Sequence, residues 1–420
     1  MKQLLAIVLF SLSLLTYSQN KKTGSDFIQT LLVDKNYEKA YSYFDETVKG
    51  QITLPILEQT INQLESQLGK FKNIIEINEE SGVYYYYSDF EKMKLDIKIA
   101  FRNSDKIAGF FFAPHKPFDK EPSLGKTYNV TSNSIELKGT LLVPAENNLK
   151  KLIILLHGSG PHDRDETIAE NKPFKDIAEN LYQKGIASYR FDKRTFSNPE
   201  SFSDKSTIDD EVVVDALNIV NHFKTNPDFK DYEIILVGHS LGAYLLPKIA
   251  NKTTQVSKIV LMAGNARPLD QLIIEQYDYL YSLNPSEEFN KEVVKTKEQI
   301  AFLNSKDFNS ESPKEKLPLN LSAAYWKSLL EYQPSTEVKK VKIPMLILQG
   351  ERDYQVTMTD FNLWKTALQK NKKAKFISYP SLNHLFMSGT GKAKPEEYLV
   401  KSNVDQKVTD DIFNFIVTKQ

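Results

Sequence analysis

The sequence predicts an α/β protein with a mostly parallel sheet, preceded by a second, small α+β unit. From residue 128 onward, short apolar runs alternate with helix-like segments, which is the order that a parallel sheet requires. Between residues 24 and 112 the order differs, because helix-like segments come first and segments with a period of two follow. The length of 420 residues also favours more than one domain.

Residues 1–19 have the pattern of a secretory signal peptide. Lys2 precedes an apolar run from Leu4 to Leu15, and small and polar residues follow near Ser18. The run is shorter than the ~20 apolar residues of a membrane-spanning helix. We therefore expect a protein that is exported, either periplasmic or secreted, and that is not stably inserted in a membrane.

Residues 24–115 are predicted to form the small α+β domain. Residues 24–68 carry apolar residues at helical spacing, and four segments with a period of two follow between Lys72 and Phe112. This order is similar to that of small cystatin-like or nuclear-transport-factor-like domains. Three prolines between Pro114 and Leu124 indicate a linker, which we place at residues 116–124.

Residues 125–420 are predicted to form the α/β domain. Two strands and a hairpin open it, and later strands are predicted at residues 152–156, 186–191, 233–237, 258–262, 345–348 and 376–379. A helix-like stretch at about residues 265–341, rich in Tyr and Leu, interrupts the alternation. Because a long insertion between two strands is usually functional, we expect a helical cap over the site.

The most informative motif is the pentapeptide GHSLG at Gly238–Gly242, which follows an apolar run from Tyr232 to Val237 and precedes a helix-like stretch. A G-x-S-x-G sequence in this context is typical of a nucleophile elbow, a sharp turn that exposes the serine hydroxyl. The glycines are needed because helix and strand pack closely there, and a larger side chain would collide. Ser240 is therefore the candidate nucleophile.

A serine hydroxyl needs a general base, and we consider two histidines. His384 follows the last predicted strand and a short loop, which gives the chain order serine, acid, histidine that accompanies such an elbow. His162 is the weaker rival. The remaining histidines are not expected to reach Ser240, because they lie in a junction, at a strand end, on a helix and inside the elbow: His115, His157, His222 and His239.

The candidate acid follows the buried-strand pattern from Pro344 to Gly350. Asp353 is our choice and Glu351 is the alternative. A carboxylate just beyond the carboxyl end of such a strand can accept the Nδ1 proton of the histidine, which fixes the tautomer and stabilises the imidazolium that forms. Either acid could instead form a structural ion pair.

Two backbone N–H groups are expected to form an oxyanion hole. One belongs to Leu241, the residue after the nucleophile. The other belongs to the loop His157–Gly160, which follows an earlier strand, and we select Ser159. A backbone donor cannot be removed by changing a side chain, so this assignment is difficult to test by mutation.

These motifs resemble those of a bacterial α/β-hydrolase family of carboxylesterases, which is related to serine aminopeptidases and dienelactone hydrolases. The resemblance covers residues 125–420 and rests on the elbow together with HGSGPHDRDE at residues 157–166, YRFDKR at residues 189–194 and QGERDYQV at residues 349–356. It implies Ser240 as nucleophile, Asp353 as acid and His384 as base. Ala243 and Thr195 depart from the pattern, because glycine is usual at both positions.

Charged residues surround the loop at residues 157–160. One interpretation is that Arg164 or Arg194 recognises a carboxylate or a peptide terminus of the substrate. The other, which we favour, is a buried ion network that holds the loop in shape, because bidentate arginine–carboxylate pairs suit that role. Its members would be Asp163, Arg164, Asp165, Arg190, Asp192 and Arg194.

Composition argues against several classes of function. Lys+Arg and Asp+Glu are equal at 54 each, so the chain has no net basic field for nucleic acid. The absence of cysteine rules out a thiol nucleophile and a disulfide framework. No group of histidines and carboxylates has the spacing of a zinc site, and we expect no metal and no cofactor.

The sequence therefore predicts an exported serine hydrolase, namely a carboxylesterase for short- to medium-chain carboxylic esters. A peptidase similar to serine aminopeptidases is the alternative, because both chemistries use the same catalytic groups. A non-catalytic cell-envelope binding protein is the alternative of another class, because a fold alone does not imply catalysis. The expected partner is a small-molecule ester or peptide, and the sequence assigns no oligomeric state.

Overall fold

The structure, a computed structural model, describes residues 20–80, 83–101, 106–116 and 124–418. They fall into two compact units with a boundary between residues 121 and 122. The predicted signal peptide lies outside the described residues, as does the predicted linker apart from residues 116 and 124. No helix in the described part of the chain combines the length and the apolar character needed to cross a bilayer.

The first unit consists of helices followed by an antiparallel sheet. Residues 20–28 form α1, which continues into a π-helical turn at Gln29–Val33. The further helices are α2 (Tyr37–Ser42), α3 (Glu46–Gln51) and α4 (Leu54–Leu68). The strands are β1 (Phe71–Glu80), β2 (Val83–Phe90), β3 (Lys94–Phe101) and β4 (Ile107–Ala113), and they pair in sequence order.

The core of this unit lies between its helices and one face of its sheet. Phe27 and Ile61 from the helices pack with Tyr86 and Ile97 from the strands, and each is at most 2% exposed. The period of two in β2 and β3 follows from this arrangement, because alternate side chains of a strand point to opposite faces. The predicted small α+β unit is confirmed.

The second unit contains ten strands. They are β5 (Lys126–Thr127), β6 (Val130–Ser132), β7 (Ile135–Leu137), β8 (Gly139–Leu142), β9 (Lys151–Leu156), β10 (Ala187–Phe191), β11 (Glu233–His239), β12 (Val256–Met262), β13 (Met345–Gly350) and β14 (Ala374–Tyr379). Eight of them form one sheet in the order β14-β13-β12-β11-β9-β10-β8-β5, and β6 and β7 form a separate hairpin. The strands from β14 to β10 are parallel, and β8 and β5 are antiparallel at one edge.

Helices cover both faces of this sheet. They are α5 (Pro173–Tyr182), α6 (Arg194–Ser197), α7 (Val214–Thr225), α8 (Leu241–Lys252), α9 (Leu269–Leu283), α10 (Glu287–Leu303), α11 (Ala323–Glu331), α12 (Pro334–Glu337), α13 (Met358–Ala367) and α14 (Gln406–Val417). Along β9, Ile153 and Leu155 face the core shared with α5 and α14, whereas Leu152 and Ile154 face the core shared with α7, α8 and α13. A strand buried on both faces is continuously apolar, which is why the sequence predicts these strands well. The predicted α/β-hydrolase sheet is confirmed.

The insertion between β12 and β13 is helical. It runs from residue 263 to residue 344 and carries α9 to α12, although β12 and β13 themselves pair directly. Ile273 of α9 and Trp326 of α11 are buried in the same core as α8. Since α8 begins directly after Ser240, the insertion packs beside the elbow.

Candidate active site

Ser240 lies at the sharp turn between β11 and α8. Its backbone has a φ of 50° and a ψ of −113°, a combination that is costly for any residue with a side chain. The turn is closed on both sides, because a Cβ at Gly238 would lie 2.6 Å from the Ala243 nitrogen and one at Gly242 would lie 2.2 Å from the Leu156 carbonyl oxygen. Helix and strand therefore approach as the motif predicts, and the packing holds Ser240 in its strained conformation.

Asp353 and His384 are in contact. His384 Nδ1 lies 2.6 Å from Asp353 Oδ2, and the two residues are 4% and 2% exposed. The Asp353 carboxylate also accepts hydrogen bonds from the backbone N–H groups of Gln355, at 2.7 Å, and Val356, at 3.0 Å, and from the Gln349 amide at 3.1 Å. Since all these donors fix the carboxylate, it presents one oxygen to the histidine.

Parallel pairing of β13 and β14 brings the loops of Asp353 and His384 together. A Cβ at Gly350 would lie 2.4 Å from the Leu382 carbonyl oxygen, so the two loops touch at a position where only glycine fits. The Arg352 N–H donates to the same carbonyl at 3.1 Å. The acid and the histidine thus meet because the carboxyl ends of neighbouring parallel strands lie at one edge of the sheet.

Ser240 and His384 line one cavity of about 680 Å³. Within the described residues, no hydrogen bond joins the Ser240 hydroxyl to His384. Such bonds are often long in enzymes without substrate and shorten in the reacting complex. The structure therefore places the serine, the histidine and the acid at one site, with the His384–Asp353 bond already formed.

The predicted oxyanion donors also belong to this site. Ser159 and Leu241 both line the cavity. A Cβ at Gly158 would lie 3.2 Å from the Ser240 Cβ, so the loop at residues 157–160, which we call the oxyanion loop, lies against the elbow. This position is suitable for donating backbone hydrogen bonds to a carbonyl oxygen attacked by Ser240.

The Lys193 side chain is hydrogen-bonded to the oxyanion loop. Its ammonium donates to the carbonyl oxygens of Gly158, at 2.8 Å, and Gly160, at 3.0 Å, and it also donates to Glu211. The other Glu211 oxygen accepts from the Tyr325 hydroxyl of α11. Burial, followed by the nearby Glu211 charge, raises the pKa of Tyr325 well above its ordinary value, so Tyr325 stays protonated and acts as a donor.

The alternative acid, Glu351, and the alternative base, His162, contact other partners. The Glu351 side chain is exposed and accepts from the Ser378 hydroxyl at 2.7 Å. His162 lines the cavity, but its Nε2 lies 2.7 Å from the Ser159 carbonyl oxygen, which can only accept. Of the considered acids and bases, only Asp353 and His384 contact each other.

Arg164 and Arg194 are bound to carboxylates of the chain and are absent from the cavity wall. Arg164 donates to both oxygens of Asp192, at 2.9 Å and 2.8 Å, and Arg194 pairs with Asp215. Arg190 pairs with Asp165 in the same region. These are three separate arginine–carboxylate pairs, of which Arg164–Asp192 is partly exposed, and they leave neither Arg164 nor Arg194 available to a substrate in the cavity.

The two departures from the family pattern fit the local backbone. Thr195 lies in the short helix α6, where no left-handed conformation requires glycine, and it lines the cavity. Ala243 is fully buried, and its Cβ would lie 2.7 Å from a Cβ at Gly264. Glycine at 264 instead of 243 therefore provides the space that the elbow needs.

Two buried residues near Ser240 were not predicted from the sequence to have a role in the site. Glu166 is 1% exposed and His239 is 5% exposed, and they form an ion pair with a 3.0 Å contact. Both belong to motifs quoted above, but only the folded chain brings them together. His157, the first residue of the oxyanion loop, is also buried, and burial lowers its pKa to about 3, so it is neutral. Within the described residues, no group of three His, Cys, Asp or Glu side chains could hold a metal ion.

Comparison with known families gives two matches along the chain. Residues 147–390 match the family described as serine aminopeptidase, S33. Residues 25–110 match a family described as a protein of unknown function, DUF3887. The first match contains Ser240, Asp353 and His384, and the second lies within the first structural unit.

The chain is also similar to a curated relative and to solved structures. The chain is 33% identical over 404 residues to esterase EstD of Thermotoga maritima, covering 93% of this chain and 94% of that protein. Among solved structures, the Pyrococcus furiosus esterase Pf2001 matches with a TM-score of 0.47 and 16% identity, covering 70% of this chain and 90% of that one. Est1E from Butyrivibrio proteoclasticus matches with a TM-score of 0.44 and 19% identity, covering 70% of this chain and 98% of that one.

Proposed function

Since the chain belongs to the serine aminopeptidase S33 family of hydrolases, we propose that it is a carboxylesterase acting on short- to medium-chain esters through an acyl-serine intermediate. The observation that carries the proposal is the buried His384–Asp353 hydrogen bond of 2.6 Å on the cavity that Ser240 also lines. The relative of nearly equal length is named an esterase, which supports ester hydrolysis over other acyl transfers.

The proposed reaction has two halves. In the first, His384 Nε2 takes the proton of the Ser240 hydroxyl while Oγ attacks the ester carbonyl, and the N–H groups of Leu241 and Ser159 bind the oxyanion. The imidazolium then gives the proton to the leaving alkoxide, and the C–O bond breaks. In the second half, His384 deprotonates water, which attacks the acyl-serine and releases the carboxylic acid and Ser240. Asp353 holds the ring and stabilises its charged form throughout.

The cavity favours an ester over a peptide with a free amino terminus. Recognition of an ammonium group requires an available carboxylate, and two carboxylate residues, Glu166 and Glu211, line the cavity. Glu166 is paired with His239, and Glu211 is occupied by Lys193 and Tyr325. With both carboxylates occupied, the cavity offers an apolar ester group a better environment than a charged amine.

Apolar side chains from the insertion form much of the cavity wall. They come from α9 and α11 and from the segment between α10 and α11: Leu269, Leu272, Ile273, Leu319, Leu321 and Leu329. Each methylene of a substrate buried against such a wall contributes ~0.8 kcal/mol. A volume of about 680 Å³ is ample for a medium-length acyl chain.

Export of the enzyme is also part of the proposal. The support is the pattern of residues 1–19, in which Lys2 precedes the apolar run from Leu4 to Leu15. We place the mature enzyme in the periplasm or outside the cell.

The experiment that tests the catalytic proposal compares wild type with Ser240→Ala on p-nitrophenyl esters of graded chain length and on aminoacyl-nitroanilides. We expect ester cleavage by wild type and a loss of kcat of about 10⁵-fold or more in the variant, since losing the nucleophile of such a triad removes nearly all of its effect. Ser305→Ala is the matched control, because Ser305 is exposed and does not line the cavity. Preferential anilide cleavage would make the protein a peptidase, and no turnover with no labelling by a fluorophosphonate would make it a binding protein.

A further inference from the structure

The His239 ring is buried between two hydrogen-bond acceptors. Its Nε2 lies 3.0 Å from the backbone carbonyl oxygen of His384, and its Nδ1 lies 3.0 Å from Glu166 Oε2. The Nδ1 contact is close but not aligned as a linear hydrogen bond, so it is an ion pair in character. Both ring nitrogens therefore face oxygen atoms that carry lone pairs.

This surrounding requires a proton on each nitrogen. A carbonyl oxygen accepts only, so Nε2 must carry a hydrogen. An unprotonated Nδ1 would set its lone pair against a carboxylate oxygen. The other Glu166 oxygen, Oε1, accepts the Gly158 N–H at 2.6 Å, and a hydrogen bond of this kind favours the charged form of the carboxyl group. Both contacts therefore favour an imidazolium next to an anion.

The charge balance of the cluster agrees with this assignment. Burial alone would raise the pKa of Glu166, but the charge of His239 outweighs it and lowers the pKa to about 2. Burial lowers and Glu166 raises the pKa of His239, with a net rise. Other titratable groups near the pair are His157 and His162 on the Glu166 side and, on the His239 side, Asp353 and His384, whose ring centre lies 4.7 Å from that of His239.

The pair connects three separate parts of the site. Glu166 binds the oxyanion loop at Gly158, His239 belongs to the elbow, and the His384 carbonyl belongs to the loop of the proposed base. We propose that His239, as an imidazolium paired with Glu166, is a positioning residue that fixes the oxyanion loop and the His384 loop relative to Ser240. The proposal rests on the esterase mechanism given above and deepens it.

The test uses Glu166→Gln in the full-length enzyme. Glutamine has nearly the size of glutamate and still offers an acceptor oxygen to Gly158, but it is uncharged. Without the neighbouring anion, the charged form of His239 is no longer favoured. We expect kcat for an ester to fall at least about tenfold, as expected when oxyanion donors are displaced, with KM changed less than about threefold because the apolar side chains of the cavity wall are unchanged. Asp360→Asn is the control, since Asp360 is equally buried and ion-paired, with Arg267, away from the reacting atoms. It should alter stability and leave kcat unchanged.

A second readout does not depend on turnover or on a variant that folds. In the wild-type enzyme with isotope-labelled histidine, assigned by through-bond NMR, both nitrogens of His239 should be protonated at about pH 7.5, where an ordinary histidine is mostly neutral. A singly protonated ring, or an unchanged kcat in a folded Glu166→Gln enzyme, would overturn the proposal. If Ser240→Ala keeps its activity, the esterase mechanism fails while the His239 signal is unaffected, so the two failures can be told apart.

Discussion

At the scale of single residues, the contacts of the Asp353 carboxylate determine which ring nitrogen of His384 is left to act as the proposed base. Its Oδ1 accepts two backbone N–H groups and its Oδ2 accepts the Nδ1 proton of His384. With the proton held on Nδ1, the lone pair of Nε2 is left for the nucleophile. The acid therefore determines the tautomer of the ring before any substrate arrives.

Replacing Asp353 by Asn should reverse that tautomer. The Asn amide could still accept the Gln355 and Val356 N–H groups through its oxygen, but its NH₂ group would donate to His384 Nδ1 and leave the ring proton on Nε2. We expect kcat to fall about 10⁴-fold at neutral pH, with the fold retained. Steady-state kinetics on a p-nitrophenyl ester and a thermal melt measure the two effects.

Glu351→Gln serves as the matched control for this variant. Glu351 is two residues from Asp353, but its carboxylate is exposed and bonds to Ser378. Its replacement should leave kcat within about twofold of wild type, as for other surface changes of less than ~0.5 kcal/mol. Equal losses in both variants would contradict the assignment of the acid.

The sequence predicts Ser240, Asp353 and His384 as the reacting groups because each follows a strand at a recognisable motif, and their roles stay predictions. It could not assign the pairing of His239 with Glu166, since that pairing depends on how the oxyanion loop returns to the elbow, and no spacing in the chain encodes it. The contacts of Lys193 could not be predicted for the same reason. Its three acceptors belong to residues that only the fold brings together: Gly158, Gly160 and Glu211.

At the scale of elements, the insertion between β12 and β13 decides how much room the cavity offers. It supplies apolar side chains to the wall, while the turns and loops after β11, β13 and β14 carry the proposed reacting groups. Substrate size and chemistry therefore depend on different elements. A change in the insertion should alter the preferred chain length and leave the reaction itself intact.

Leu269→Trp tests this separation. Leu269 lies at the start of α9, is partly buried and lines the cavity, so a tryptophan would occupy part of the volume. We expect kcat/KM to fall about fourfold for each acyl methylene that loses its place, since one buried methylene contributes ~0.8 kcal/mol, while an acetyl ester is cleaved almost as before. The measurement is a series of p-nitrophenyl esters.

Leu363→Trp is the control for the insertion. Leu363 lies on α13, is 38% exposed and is absent from the cavity wall. Its variant should show the wild-type order of chain lengths. A uniform loss across all esters in Leu269→Trp would instead mean that the insertion supports the reacting groups.

The helices and strands could be predicted from the sequence where their burial produces a periodic or continuous pattern of apolar residues. The central strands were found because they are buried on both faces, and most of them extend one or two residues beyond the prediction, whereas β10 begins one residue later than predicted. Helix α3 lies within residues 24–68, where helices are predicted, but its own sequence has no apolar stripe because none of its residues is buried. The N-terminal sheet was found from its period of two, which its one-sided core requires.

At the scale of the whole molecule, each unit has a core of its own, and all groups of the proposed reaction lie in the second unit. The proposed export rests on the pattern of residues 1–19 and on none of the packing described above, so it can be tested separately.

We expect the protein recovered from cells to begin near residue 19 or 20, after removal of the leader. Mass spectrometry of the purified protein measures this directly against the full chain of 48.1 kDa. Val8→Asp, which interrupts the apolar run, should leave the full-length protein in the cytoplasm. Finding the wild type at full mass in the cytoplasm would refute the proposed export.

The strained turn at Ser240 has a consequence for how such a chain evolves. A residue held in that conformation costs ~1–3 kcal/mol, and glycine would adopt the same φ of 50° and ψ of −113° with little penalty. A lineage selected for stability or for binding alone would therefore gain by exchanging this serine. Serine at this position is therefore expected in a chain that selection has kept for turnover.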